Sequence, residues 1–290
     1  VTRRSWVEPV AILASLALAL TACRWNDTIL AVHDSGPDTG GPADANNGTD
    51  QAGSCSSRPV VDAGGDLGQG LVAWYRCESA TGTDGTVLPD SSTRGNDAVL
   101  RAGASGSAGS TFSAGKIGNA LNLVEASKGY VELPPGLLAN ACEATIATWV
   151  YINSDSNAWA RIWDFGADTN SYMFLTRITN LDQLARFGIT IAGSAHEQLI
   201  TGSTAVPFRK WTHVAVVLGP SGGMLYFDGQ VVGTNPSMTL RPADLGSMPN
   251  IYIGRSQYSV DPYLNGSVDE FRVYNRALSP EEVQALAGST

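Results

Sequence analysis

Positive charge is scarce in this chain. Its 290 residues carry 18 lysines and arginines against 27 aspartates and glutamates, a formal net charge of −9. No basic stripe is available to release counterions from a phosphate backbone, which argues against nucleic acid as a partner. Histidine is nearly absent, with only His33, His196 and His213, so a cysteine nucleophile finds few bases within reach. No apolar run attains the roughly 20 residues that span a bilayer; Val10 to Leu20 falls well short. Asp34, Asp38, Asp44 and Asp50 lack the glycine and closing glutamate of an EF-hand. A Glu-x-Asp-x-Glu pattern is also missing. Asp269 and Glu270 are adjacent, which on a regular strand sends them to opposite faces. Glycoside hydrolysis needs two carboxylates flanking one bond, so the chain is read as no enzyme.

What is present divides the chain. Arg3 and Arg4 precede the short apolar stretch, which is the pattern of an export signal over residues 1–22. Leu20-Thr21-Ala22-Cys23 resembles a bacterial lipobox. That resemblance implies lipidation of Cys23 and an exported protein of the cell envelope, an outer-membrane lipoprotein or surface protein that meets the membrane only through its anchor. Residues 23–69 are rich in Asp, Gly, Pro and Asn and have no apolar period. Such a segment buries too little surface to offset its ordering entropy and reads as an acidic linker.

From residue 70 to 288 the pattern is that of one folded domain. Hydrophobic residues make up 43% of the chain, charged residues only 16%, and glycines number 32, which suits many turns and few exposed helices. Leu71 to Cys77 reads as a first strand, and Ala144 to Ile152 as the longest β-branched run and a central strand. Met224 to Val232 reads as a hairpin about the two-residue turn Asp228-Gly229. Ser279-Pro280-Glu281-Glu282 is a helix start, with Ser as N-cap and Glu three residues on. More than ten strands and one short C-terminal helix predict an all-β, two-sheet antiparallel sandwich.

Six motifs occur in order: Gly118-Asn119-Ala120-Leu121, Thr148-Trp149-Val150, Trp211-Thr212-His213-Val214-Ala215, Leu225-Tyr226-Phe227-Asp228-Gly229, Ile251-Tyr252-Ile253-Gly254-Arg255, and the closing run Val268 to Ser279. Together they resemble the laminin-G-like, concanavalin A-like jelly roll of lectins and glucanases. The resemblance implies a recognition module for a polysaccharide or a surface protein. It also implies a structural calcium (Ca2+) held by Asp90, Asn96, Asp97 and Asp269, although Thr93-Arg94 stands where the family usually has Gly-Asn. Cys77 replaces a core aromatic of the family, and a Cys77–Cys142 bridge is the first expectation, with Cys55–Cys142 as the rival. Tyr258 and Tyr263 in a polar loop, with Trp159, are the aromatic rings expected to stack on sugar. Trp149 and Trp211 are expected in the core, and His213 as a strand residue with its ring satisfied.

Overall fold

A computed structural model describes residues 65–79, 82–103, 110–153 and 158–289. The export signal, Cys23, Cys55 and the linker ahead of residue 65 lie outside the described residues. The first strands in chain order are β1 (Leu71–Tyr75), β2 (Val87–Leu88), β3 (Ala98–Arg101), β4 (Thr111–Ala114), β5 (Asn119–Leu123), β6 (Tyr130–Glu132), β7 (Ala144–Ile152) and β8 (Arg161–Gly166). They are followed by β9 (Tyr172–Thr176), β10 (Arg186–Thr190), β11 (Gln198–Thr201), β12 (Trp211–Gly219), β13 (Gly222–Phe227), β14 (Gln230–Asn235), β15 (Asn250–Ile253) and β16 (Gly266–Tyr274). A single α-helix among the described residues, α1 (Pro280–Gly288), ends the domain.

The strands form two antiparallel sheets of eight. The first runs β14-β13-β12-β7-β16-β5-β4, with β1 also paired to β16. The second runs β11-β10-β9-β8-β15-β6-β3-β2. Alternation along each strand sends one set of side chains between the sheets. Ile146, Val150, Val216, Leu225, Phe271 and Val273 come from the first sheet, and Trp163, Phe165, Leu175, Phe187, Ile251 and Val131 from the second. β7 lies between β12 and β16, as its β-branched sequence predicts.

The outer face of the first sheet has its own small core. Leu278, Val283 and Leu286 of the α1 region pack on Ala147, Ala215, Val217, Tyr226 and Tyr274. The helix starts as its sequence dictates. Ser279 Oγ accepts from the Glu282 N–H at 3.3 Å, and the Ser279 N–H donates to Glu282 Oε2 at 2.8 Å. Glu282 also takes both terminal nitrogens of Arg276, at 2.7 and 2.8 Å. The Asp228-Gly229 turn has φ of 46° and 77°, the two left-handed residues of a type I′ hairpin.

Two expectations need correction. Cys77 is buried with a free thiol, so the Cys77–Cys142 bridge is not formed. β1 ends at Tyr75, Cys77 has φ 58°, and its Sγ lies 3.8 Å from the Tyr75 carbonyl oxygen. Cys142 is therefore not its partner. The second correction concerns Asp269 and Glu270. A β-bulge falls between Asp269 and Arg272 where β16 meets β7, with Glu270 at φ 53°. Simple alternation therefore does not hold there.

Removing the N-cap tests the local reading. Ser279→Ala is expected to lower unfolding free energy by about 1 kcal/mol, read as a lower urea midpoint at unchanged slope. Burial pushes the Cys77 thiol far above its ordinary pKa, so iodoacetamide should leave it unmodified in the native protein and alkylate it in urea. Rapid native labelling at Cys77 would contradict this packing.

Candidate functional site

Charged side chains stand in unusual number on the outer face of the second sheet. In β8 to β10 the alternation sends Trp163, Phe165, Met173, Leu175, Phe187 and Ile189 inward. Register then puts Arg161 beside Thr176 and Thr176 beside Arg186 on the other face. Asp164, Phe174 and Gly188 form the next row. Gly188 is required, because a Cβ there would lie 2.6 Å from the Phe174 ring. The ring thus lies against β10 and supports what sits above it.

Arg161 is the centre of this face and is only 3% exposed. Its guanidinium lies 3.8 Å from the Phe174 centroid and 5.6 Å from that of Trp159. Nε donates to Asp164 Oδ2 at 3.2 Å, Nη2 pairs with Asp261 Oδ2 at 3.2 Å, and Nη1 donates to the Trp159 carbonyl at 3.2 Å. Asp164 Oδ2 also accepts from the Gln257 N–H, whereas its Oδ1 is buried with no partner. Burial pushes the Asp164 carboxyl up to about 6, against the pull of Arg161. Arg186 is held by Asp182, but its Nε is likewise buried without a partner.

Two loops and a strand edge close around this centre. Asp261 Oδ2 accepts from Ser256 Oγ at 2.8 Å, and that oxygen accepts from the Tyr258 N–H at 3.0 Å. The Tyr258 hydroxyl donates to the Thr169 carbonyl at 3.1 Å and lies 3.2 Å from the Tyr172 hydroxyl. The two rings meet edge to face at 5.7 Å. The Tyr172 hydroxyl donates to Glu197. Burial raises the Glu197 carboxyl, opposed by that hydrogen bond and by Arg161 and Arg186. Trp159 is half-buried with φ 68°, a conformation that costs a bulky residue free energy and collects at working sites. Its backbone N–H donates to the Ile178 carbonyl at 3.0 Å, and its indole N–H to Asn180 at 2.9 Å.

The structure therefore brings the expected Trp159 and Tyr258 into one network through Arg161 and Asp261. Tyr263 packs 6.2 Å from Tyr130 on β6, in a neighbouring cluster where Arg255 lies over Tyr130 and Tyr252. Arg161, Asp164, Arg186 and Glu197 are missed by a search for exposed aromatics. The available signal is a charge inside an otherwise apolar strand, which must find partners when buried.

The four residues expected to hold calcium do not form one ligand set. Among the described residues no group of three or more His, Cys, Asp or Glu could hold a metal. Asp90 accepts from the N–H groups of Trp74, Ser92 and Asn96 and from the Ser92 hydroxyl. Burial pushes its carboxyl up, yet those hydrogen bonds outweigh it and hold the group below the usual range. Asp97 accepts from the Asp90 N–H, and Asn96 donates to the Val72 carbonyl. Asp269 instead accepts from the N–H groups of Lys116 and Ile117 at 2.9 and 2.8 Å. Asp90 has its lone pairs taken by these donors, whereas Asp269 Oδ1 is buried without a partner. Trp149 is buried as expected, and Trp211 is half-buried. His213 is buried beside Trp149 at 5.4 Å, but its Nδ1 has no partner.

Burial pushes the Asp269 carboxyl up to about 7, and Glu270 adds to this, while the Ile117 and Lys116 N–H groups oppose it. A carboxyl raised on folding binds more protons in the native state, so it subtracts stability as pH climbs from about 4 to about 7. Asp269→Asn removes that titration. The melting temperature of the variant relative to the parent should therefore rise across that window in thermal scans. A pH-independent difference would contradict the burial of this carboxyl.

Comparison with known proteins adds kinship to this geometry. The family model described as the concanavalin A-like lectin/glucanases superfamily matches residues 125–284. The adhesion G-protein coupled receptor D1 of Homo sapiens is 33% identical over 82 residues, which cover 28% of this chain and 9% of the receptor's length. Domain 4 of AbnA, a GH43 extracellular arabinanase of Geobacillus stearothermophilus solved with arabinotriose, superposes with a TM-score of 0.59 at 22% identity, covering 75% of this chain and 98% of that domain. A Trypanosoma rangeli sialidase gives 0.53 at 22% identity over 75% and 32%. A botulinum neurotoxin type C structure, whose cell entry depends on two ganglioside molecules, gives 0.55 at 13% identity over 76% and 51%.

Proposed function

This chain belongs to the concanavalin A-like lectin/glucanases superfamily, and on that footing we propose that it is a non-catalytic carbohydrate-binding module exported to the bacterial cell envelope. One observation carries this reading. Trp159 is held in a left-handed backbone beside a sheet face where Asp164 Oδ1 and Arg186 Nε are buried and unpartnered. An apolar ring next to convergent polar groups is the chemistry that holds a sugar, whose rings have apolar faces and hydroxylated edges. The arabinanase domain bound to arabinotriose and the ganglioside-dependent neurotoxin add support by likeness of fold.

Absence of catalysis has its own support. Asp164 is tied to Arg161 and the Gln257 N–H, and Glu197 to Tyr172. Asp269 holds two backbone N–H groups, and Glu270 holds Trp74 and Arg272. Each of these carboxylates has a structural partner, which supports a role in holding the fold. Lipidation at Cys23 would fix the module to a membrane, with the acidic linker giving it reach. A second reading, adhesion to a surface protein, is favoured by Leu181 and Val260, which are 74% and 87% exposed on the loops beside Trp159 and Asp261.

A glycan array probed with the full chain tests the proposal. Binding is expected, and Trp159→Ala should weaken it about tenfold, the equivalent of about 1.4 kcal/mol. Tyr258→Ala should weaken it less, since its hydroxyl is already bonded to Thr169. No binding to any glycan, with capture of a defined surface protein lost in Leu181→Asp, would replace this reading with the adhesion one.

A further inference from the structure

The charges on the outer face of the second sheet are not those of a site for an acidic ligand. Arg161 is offset by Asp164 and Asp261, and Arg186 by Asp182. Both guanidiniums are thus neutralised locally, and Glu197 stands beside them as a further carboxylate. A carboxylated or sulfated sugar arriving here meets no uncommitted cation and at least one extra negative charge. Like charges in a desolvated site are costly, so the arrangement selects against it.

What the face does leave open is one acceptor and one donor. Asp164 Oδ1 and Arg186 Nε are both buried without partners, on residues that are 0% and 8% exposed. Buried polar atoms of this kind carry a desolvation cost until something pairs with them. They stand on adjacent rows of the same face, one on β8 and one on β10, with Phe174 on β9 between the strands. A sugar hydroxyl both donates and accepts. A carboxylate takes its proton and a guanidinium N–H its lone pair.

We infer that, given the carbohydrate-binding reading above, the site takes an uncharged sugar and reads its hydroxyls with Asp164 Oδ1 as acceptor and Arg186 Nε as donor, while Glu197 excludes acidic sugars. The segment Ser256 to Asp261 closes over Asp164 through the Gln257 N–H and the Asp261–Arg161 pair.

Titration calorimetry on the full chain tests this with arabinan, xylan and mannan oligosaccharides as neutral probes, and oligogalacturonate and sialyllactose as acidic ones. At least one neutral probe should bind, and both acidic probes should bind at least tenfold more weakly. Arg186→Lys keeps the charge but lacks Nε; it should lose about tenfold in affinity for the neutral probe. Glu197→Gln should narrow the gap between the neutral and the acidic probes. Thermal scans of each variant, expected within a few degrees of the parent, separate loss of contact from loss of fold. Equal or tighter binding of an acidic probe, or unchanged affinity in Arg186→Lys, would overturn the inference while leaving carbohydrate binding intact. If neither class binds the folded parent, the carbohydrate-binding reading fails with it.

Discussion

The first sheet depends on what happens at one β-bulge in its closing strand. β16 lies beside β7 along one edge for most of its length. Along its other edge it has two partners in succession. Gly266 to Val268 pair with β5, and Phe271 to Tyr274 pair with β1. The change of partner falls at Asp269-Glu270, where the ladder is broken. Unpaired backbone N–H groups near such a gap would be costly in a buried setting. The side chains fill it: Asp269 takes the N–H groups of Lys116 and Ile117 at the β4–β5 turn, and Glu270 takes the Trp74 indole of β1. Two adjacent carboxylates thus join three separate stretches of chain.

That arrangement gives both acids a structural task. Their burial is tolerated because each has a partner that needs it, and removing either would leave a donor stranded. The same logic operates on the other sheet, where Arg161 collects Asp164, Asp261 and a carbonyl. Both sheets keep a remainder of buried atoms without a hydrogen-bond partner: Asp164 Oδ1 and Arg186 Nε on the second, Asp269 Oδ1 on the first.

Much of the fold is legible in the sequence because local and global signals agree. The capping residues Ser279 and Glu282, the Asp228-Gly229 turn and the long β7 run each dictate their conformation within a few residues. The very short β2 and the weakly apolar β4 are not legible, since they exist only through pairing with β3 and β5. The Asp269-Glu270 bulge is hidden for a related reason: a change of partner is a property of three strands, not of one. Trp159, Tyr258 and Tyr263 are legible as aromatic rings outside the motif strands. Arg161 and Arg186 are not, because a charge in a strand does not announce its partners: Asp164 and Asp182 are near in sequence, but Asp261 meets Arg161 only through the fold. Nor does the sequence show that Asp90 and Asp269 are drawn to different backbone donors.

The chain enters the domain against the end of β16. Arg276 donates to the Gln69 and Asp66 carbonyls, and the Asn275 N–H to the Gly70 carbonyl. Those contacts belong to the first sheet, whereas Trp159 and its neighbours stand on the far side of the second. The sandwich therefore has polarity: the chain's entry at one layer and the Arg161 network at the other, with the whole core between them. A pull applied at Gln69 and Gly70 would load the β1–β16 ladder first and reach the strands that carry Arg161 and Arg186 only through the core between the sheets.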